Sequence, residues 1–274
     1  MTESARLAAK IIQDRIRLKP QFGLILGSGL GALANQLTDS QVFDYPELPG
    51  FPPSSIKGQQ AQLAVGGIEE VPVVCLQGRA HYYEGSDSNQ ILTYVRTLKL
   101  LGCHTVIITG AVGSLHAEVK PGQLILLKDH INWQGRNPLV GVNDPEFGPR
   151  FPDMSEAYDR QWRQQMAKVG HDLLLPLMEG IYLSVLGPGF ETPAEVRLFR
   201  EFGADVVAMS VVPEVIAARH CGLRVIGLVV VTNLAAGLTT IPQSHEETLQ
   251  TAQRSTDQMI SLIRAFMLSV KGSK

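Results

Sequence analysis

The sequence feature that most constrains the fold is an almost uninterrupted apolar run at residues 223–233. The run is rich in β-branched and aliphatic side chains and lacks the alternation of a strand with one wet face. It therefore predicts a central strand of a parallel sheet that helices cover on both faces. Thr232 and Asn233 fall at the carboxyl end of this strand, where open α/β sheets bind ligands. The polar pair is a candidate site, with an ordinary turn after the strand as the alternative.

Composition limits the classes of protein to which the chain can belong. With 274 residues and no evident linker, we expect a single domain over residues 1–274. Charged residues make up 18% and the net charge is -2 without a basic block, which argues against nucleic acid or an anionic membrane as a partner. The three cysteines are widely spaced among apolar residues and predict reduced core thiols. The first residues lack the apolar core of a signal peptide, so we expect a cytoplasmic protein.

A glycine-rich turn follows the first predicted strand, residues 23–26. The segment Gly27-Ser28-Gly29-Leu30-Gly31 would let backbone amides and a hydroxyl approach an anion closely, as in a phosphate loop. The same turn fits a loose dinucleotide fingerprint, with Asp44 or Glu47 as the ribose-binding acid. Prolines crowd residues 46–53, where the acid-bearing second strand would lie. A nicotinamide oxidoreductase is therefore the weaker alternative.

A cluster of polar side chains follows the second predicted strand, residues 71–76. The segment Gln77-Gly78-Arg79-Ala80-His81-Tyr82-Tyr83-Glu84-Gly85 carries a cation, an imidazole, phenols and a carboxylate. A lone arginine or histidine is more often structural. Here the whole cluster follows a strand, and arginine is suited to bidentate contact with phosphate oxygens. The sequence therefore predicts a second part of an anion site.

The other segments follow from their periodicity and from helix-start signals. The sequence predicts helices at 3–18, 88–101, from Ser155 and at 213–221, strands at 103–108, 124–127, 181–186 and 204–208, and loops at 50–67, 109–114 and 129–153. Thr192-Pro193-Ala194-Glu195 and Ser244-His245-Glu246-Glu247 are both typical of capping boxes at helix starts. A helix dipole disfavours imidazolium at this position, so we expect His245 to act as a neutral hydrogen-bonding group.

Several of these motifs, in this order, resemble the trimeric purine nucleoside phosphorylases. The matching motifs are Gly27-Ser28-Gly29-Leu30-Gly31, Gly78-Arg79-Ala80-His81-Tyr82-Tyr83-Glu84-Gly85, Gly187-Pro188-Gly189-Phe190-Glu191-Thr192, Met209-Ser210-Val211-Val212-Pro213-Glu214 and Thr232-Asn233. The resemblance spans residues 20–270. It implies a single-domain three-layer α/β sandwich with a mixed, partly barrel-like sheet. It also implies a homotrimer that cleaves purine nucleosides reversibly with inorganic phosphate as co-substrate, and no metal or organic cofactor.

The resemblance also implies roles for individual residues. Residues at the positions of the family's phosphate contacts are Ser28, Gln59, Arg79, His81, Ala111 through its backbone amide, and Ser210. Residues matching its ribose contacts are Tyr83, Met209, His245, and Phe151, which a neighbouring subunit would lend. Residues matching its base contacts are Ala111, Phe190, Glu191, Val207 and Asn233. We expect Glu191, Asn233 and His81 to be catalytic.

The predicted base contacts indicate a substrate class. Asn233 can stabilise N7 and O6 of a departing purine, while Glu191 can accept a hydrogen bond from N1–H, which only a 6-oxopurine carries. The pair predicts cleavage of inosine and guanosine, with xanthosine and deoxynucleosides as further candidates. A methylthioadenosine phosphorylase-like activity is an alternative that this pair disfavours, because adenosine offers no such proton.

Two positions depart from the family pattern. Gln59 stands in the place of a phosphate-loop histidine, and Gly110 in the place of an asparagine before Ala111. A hydrogen bond to a charged group is worth about 1.5 to 3 kcal/mol, so we expect weaker phosphate use. A nucleoside-binding protein with weak or altered catalysis is the alternative that these two residues suggest.

Overall fold

The apolar run at residues 223–233 forms an inner strand of a mixed nine-stranded sheet. The computed structural model describes residues 2–27, 31–52, 60–175, 177–239, 250–253 and 255–271. The strands are β1 Phe22–Ile25, β2 Thr38–Asp44, β3 Gln62–Ile68, β4 Val71–Gln77, β5 Thr105–Ser114, β6 Leu124–Asn132, β7 Met178–Ser184, β8 Val206–Ala208 and β9 Arg224–Leu234. The α-helices are α1 Thr2–Gln13, α2 Ser88–Leu100, α3 Arg160–Asp172, α4 Pro193–Glu201, α5 Val212–His220 and α6 Thr256–Ser269.

The sheet curls into a closed ring at one end. Its strand order is β2-β3-β4-β1-β5-β8-β7-β6-β9, and a further parallel pairing joins β9 to β5. Strands β5, β8, β7, β6 and β9 therefore close on themselves, while β2, β3, β4 and β1 extend outward from β5. The pairs β1–β4, β1–β5, β6–β7 and β7–β8 are parallel, and β2–β3, β3–β4, β5–β8 and β6–β9 are antiparallel. This is the mixed, partly barrel-like sheet that the resemblance implies.

Helices cover both faces of the sheet, because its strands are apolar on both sides. Successive residues of β1 point to opposite faces, so Leu24 belongs to one buried cluster and Ile25 to the other. Helices α1, α2 and α5 pack together on one face, and α3 packs with α6 on the other. The three cysteines are unpaired and buried, which confirms the prediction of core thiols. The three-layer α/β sandwich is confirmed.

Several sequence-based boundaries are wrong. Strand β5 continues to Ser114 where a break at 109–114 was predicted, because the segment pairs with β9 along its whole length. Residues 62–68 form β3 in place of a loop, since β3 pairs antiparallel with both β4 and the exposed strand β2 and so extends the sheet outward. Strand β6 reaches Asn132 through a register shift after Leu127, which shortens the predicted loop at 129–153. Helix α1 ends at Gln13, five residues before the predicted end, and α3 begins at Arg160, five residues after the predicted start at Ser155, because Asp159 caps it.

Candidate active site

A cavity of about 390 Å³ lies where β1, β4, β5, β7, β8 and β9 end. Parallel strands present their carboxyl ends on one edge, so residues far apart in sequence meet there. The predicted site residues that line the cavity are Arg79, His81, Tyr83, Ala111, Phe190, Glu191, Val207, Met209, Ser210 and Asn233. Its wall also includes Gly27, Gly110 and Thr232. The segments that the sequence marks at the ends of six different strands thus form one site.

Arg79 supplies a buried positive charge to the cavity. One of its terminal nitrogens, Nη2, donates to the carbonyl oxygens of Ile25 at 3.2 Å and Thr109 at 2.5 Å. Its Nε lies 3.6 Å from a carboxylate oxygen of Glu214, and both side chains are almost completely buried. Nε and Nη1 have no hydrogen-bond partner within the described part of the chain. A buried guanidinium with unused donors is suited to binding an anion.

His81 and Tyr83 form a stacked pair in the turn after β4. Their ring centroids are 4.8 Å apart with an interplanar angle of 22°. His81 Nδ1 is 2.8 Å from Glu84 Oε2, and the same oxygen accepts the His81 backbone N–H at 3.1 Å. The Glu84 carboxylate thereby fixes the ring through Nδ1, and the second ring nitrogen, Nε2, is not part of this contact. Burial, with the nearby Glu84 charge, raises the pKa of Tyr83 to about 12, so its phenol keeps its proton at neutral pH.

A β-bulge shapes the end of β9. Val231 pairs with Val112 and Asn233 pairs with Gly113, which leaves Thr232 as the extra residue. Both Thr232 and Asn233 therefore line the cavity, although adjacent strand residues normally face opposite sides. The Thr232 hydroxyl lies 2.9 Å from Asn233 Oδ1 and 3.2 Å from the Val112 carbonyl oxygen. The bulge thus orients the Asn233 amide.

Glu191 lies between β7 and α4. The capping box after it is confirmed: Thr192 Oγ1 accepts the Glu195 N–H at 3.3 Å, and the Glu195 carboxylate accepts the Thr192 N–H at 2.7 Å. Burial raises the pKa of Glu191, its own backbone N–H opposes this effect, and the negative charge of Glu195 adds to it. Phe190 remains 45% exposed beside it at the cavity wall.

The turn from β8 into α5 positions Ser210. The next residue, Val211, has φ 67° and ψ -58°, and the Val212 N–H donates to the Ser210 carbonyl oxygen at 2.7 Å. This is a positive-φ γ-turn, a strained conformation for a β-branched residue. The Ser210 N–H donates to the Tyr182 hydroxyl at 3.2 Å, and Ser184 Oγ donates to the Ser210 carbonyl. The surrounding β7 residues hold the strained turn in place.

Comparison with known proteins gives the family. Residues 21–267 match the model of the phosphorylase superfamily. The chain is 42% identical over 267 residues to purine nucleoside phosphorylase 1 of Bacillus subtilis, covering 97% of this chain and 98% of the relative. It is 41% identical over 269 residues to purine nucleoside phosphorylase of Bos taurus, covering 96% and 93%. The chain belongs to the purine nucleoside phosphorylase family.

A solved structure of a purine nucleoside phosphorylase has the same fold. The Schistosoma mansoni enzyme in complex with inosine matches with a TM-score of 0.92 at 35% identity, over 97% of this chain and 95% of that chain. Within the described residues, no group of three or more histidine, cysteine or acidic side chains could hold a metal ion. None of the helices described is long and apolar enough to span a bilayer.

Three residues that match purine nucleoside phosphorylase contacts, Ser28, Gln59 and His245, lie outside the described residues. Gln77 contacts the described residues that follow Ser28 and Gln59 in the chain. Its Nε2 lies 3.3 Å from the Gly31 carbonyl oxygen and 2.8 Å from Gln60 Oε1. Phe151 is 86% exposed and is not among the described residues that line the cavity of its own chain.

Sequence reasoning missed a positioning residue of this purine nucleoside phosphorylase fold. Gln134 is buried, and its Nε2 donates to the carbonyl oxygens of Val185 at 3.1 Å and Met209 at 3.2 Å. It thereby joins the ends of β7 and β8 next to the cavity. The sequence around Gln134 is that of an ordinary polar loop, so only the three-dimensional packing identifies it.

Proposed function

We propose that this chain cleaves 6-oxopurine nucleosides and deoxynucleosides reversibly with phosphate, giving the free base and ribose 1-phosphate or its deoxy counterpart. One observation carries the proposal: buried Arg79, with its unused donors, lines the same cavity as Glu191 and Asn233. Inorganic phosphate is the co-substrate, and the reaction uses no metal or organic cofactor. Inosine and guanosine are the leading substrates, with xanthosine next.

The phosphate subsite is built around Arg79. Arg79, His81, Ala111 and Ser210 line the same cavity, and we assign to phosphate the Arg79 donors, His81, the Ser210 hydroxyl and the Ala111 amide. Ser28, by its match to the family pattern, and Gln59, by its place in the phosphate loop, complete this set. The loss of a histidine at position 59 and of an asparagine at position 110 weakens phosphate binding without abolishing it. Gln77 supports the subsite because it contacts residues next to both loops.

The ribose and base subsites follow the remaining cavity residues. Tyr83 and Met209 contact ribose, and His245 binds towards the 5'-hydroxyl. Phe190 and Val207 supply apolar contact with the purine, with Ala111 between the base and the phosphate. Cleavage of C1'–N9 builds positive charge on the ribose and negative charge on the purine. Bound phosphate stabilises the first and attacks C1', while Asn233 donates to the purine at N7.

Glu191 determines the base preference. Its carboxylate accepts from N1–H of hypoxanthine or guanine, and adenine has an unprotonated N1 at the same place. A buried carboxylate that is left without a hydrogen-bond donor costs about 1 to 3 kcal/mol of binding free energy, which disfavours adenosine and its methylthio derivative. His81 acts from the phosphate side, where the Glu84 carboxylate holds its ring.

We further propose a homotrimer in which Phe151 of one subunit completes the ribose site of its neighbour. The large, exposed ring of Phe151 supports this role, because other residues of its loop hold the loop in place. Asn143 in the same loop lies 3.0 Å from His220 Nε2, and Arg150 donates to the Leu139 carbonyl at 3.0 Å. In this proposal residues 1–274 form a single domain, and we place the enzyme in the cytoplasm.

The deciding experiment is a phosphate-dependence assay of inosine loss, with chromatography for hypoxanthine and ribose 1-phosphate. We expect cleavage that requires phosphate and yields the sugar phosphate. Cleavage without phosphate would contradict phosphorolysis. Tight inosine binding without any product would support the nucleoside-binding alternative.

A further inference from the structure

Arg79, Glu214 and Tyr94 form a buried triad behind the cavity. The Tyr94 hydroxyl donates to Glu214 Oε1 at 3.1 Å, and Arg79 Nε lies 3.6 Å from that same oxygen. Tyr94 is fully buried in α2, and Glu214 is in the first turn of α5. Side chains from the turn after β4 and from α2 therefore meet at one carboxylate oxygen of the distant helix α5.

The carboxylate neutralises Arg79 without forming a hydrogen bond to it. A separation of 3.6 Å between Nε and Oε1 exceeds the hydrogen-bond range, whereas 3.1 Å between the phenol and Oε1 is within it. Arg79 Nη2 is held by the carbonyls of Ile25 and Thr109, which fixes the guanidinium plane. The remaining donors of Arg79 are buried and without a hydrogen-bond partner among the described residues.

Tyr94 is suited to hold Glu214 in this position. Burial raises its pKa well above the usual range, and the Glu214 charge raises it further, so the hydroxyl keeps its proton. The first turn of a helix also favours a negative side chain there. The phenol and the helix end together stabilise the carboxylate, which reduces its need for a donor from Arg79.

We propose that Glu214 competes with phosphate for Arg79 and that Tyr94 limits this competition, so that the pair sets the phosphate affinity of the enzyme. The inference rests on the proposed function, because it takes Arg79 as the phosphate-binding cation. Glu214 and Tyr94 are positioning residues that act through Arg79. With Tyr94 in place, Arg79 is charge-balanced in the empty site and free to donate to the incoming anion.

The two positioning residues have opposite effects in this scheme. In Tyr94→Phe, the carboxylate loses its phenol donor and bonds to Arg79, which phosphate must then displace. We expect the KM for phosphate to rise about three- to tenfold. In Glu214→Gln, Arg79 loses its competitor, and we expect the KM for phosphate to fall by a similar factor of about three- to tenfold.

The test measures the KM for phosphate and the KM for inosine in wild type, Tyr94→Phe and Glu214→Gln. Tyr158→Phe is the matched control, since Tyr158 is an equally buried tyrosine whose hydroxyl lies 3.2 Å from His130 Nδ1. The inference is supported if the KM for phosphate shifts in opposite directions in Tyr94→Phe and Glu214→Gln. The KM for inosine at saturating phosphate should stay unchanged in both, and the control variant should behave like wild type. Thermal unfolding with and without phosphate gives a second measure: Glu214→Gln should be less stable alone and gain more from phosphate than wild type.

Two results would overturn the proposed competition. A rise of the phosphate KM in both variants would mean that the triad only supports the fold, and an unchanged KM in Tyr94→Phe would mean that the phenol does not limit the pairing. Tyr94→Phe decides the question by itself if Glu214→Gln fails to fold. A wild-type protein that cleaves inosine without phosphate would instead overturn the proposed function.

Discussion

Gly187 lies directly against the sulfur of Met209. A Cβ atom on residue 187 would stand 2.3 Å from Met209 Sδ. Gly187 also has φ +71°, a backbone conformation that residues other than glycine rarely adopt. Met209 in turn lines the cavity, and Gln134 holds its carbonyl oxygen. The segment that carries Phe190 and Glu191 therefore packs against a wall of the site through an atom-to-atom contact that requires glycine.

Gly187→Ala should displace Met209 and weaken nucleoside binding. Misplacement by about 1 Å in a site of this kind can cost up to about a hundredfold in kcat/KM for inosine. Steady-state kinetics with varied inosine will measure it. Gly189→Ala is the matched control because no atom of the described residues lies within 4 Å of its Cβ position. Equal losses in both variants would show that the contact with Met209 is not the cause.

Arg79→Lys should raise the KM for phosphate at least about tenfold, because lysine keeps the charge but cannot make the planar set of contacts. Lysine is preferred to alanine here because it leaves buried Glu214 with a counter-ion. Arg163→Lys, at an ion pair with Glu179, is the control and should leave the phosphate KM unchanged. An unchanged phosphate KM in Arg79→Lys would mean that Arg79 serves only the fold.

Hypoxanthine binding should weaken as the pH falls, and it should begin to do so at a higher pH than for an ordinary glutamate. Burial raises the pKa of Glu191, so falling pH protonates this carboxylate early and removes the acceptor for N1–H. We expect a loss of about ten- to a hundredfold in affinity, measured by calorimetry across the acid range. Glu191→Gln should bind weakly at all pH values. The same pH dependence in that variant would assign the titration to another group.

Mixed assemblies can test the shared role of Phe151. Phe151→Ala and Asn233→Ala should each be nearly inactive, the first for lack of the donated ring and the second for lack of a base contact. If the two are denatured and refolded together in equal amounts, about a quarter of the sites combine an intact pocket with an intact Phe151. We expect activity to recover to that fraction. Val142→Ala, an exposed residue of the same loop, is the control and should be fully active alone.

The sequence predicts most of the cavity because its strands are buried on both faces. Such strands are visible as apolar runs, and Arg79, Glu191 and Asn233 stand where those runs end. The family motifs then assign roles to the same positions. In the structure, each of these three residues lines the cavity.

The remaining features depend on contacts between distant segments. Gly110 looks like a strand break, yet β5 passes through it because β9 pairs with it and the backbone of Gly27 packs closely there. The bulge at Thr232 has no local signature, since it arises from the register between β9 and β5. Gln134 is likewise defined by carbonyl groups of two other strands.

The closed ring of strands determines which parts of the site can move. Each of β5, β6, β7, β8 and β9 has hydrogen-bonded neighbours on both sides, whereas β2 has a single neighbour among the described strands. Amide hydrogens of the ring should therefore exchange with deuterated solvent most slowly, and those of β2 much faster. The ends of the ring strands that line the cavity therefore form the rigid part of the site. Entry of substrate and exit of product must then depend on connecting segments, such as residues 187–192, which contribute Pro188, Phe190 and Glu191 to the cavity.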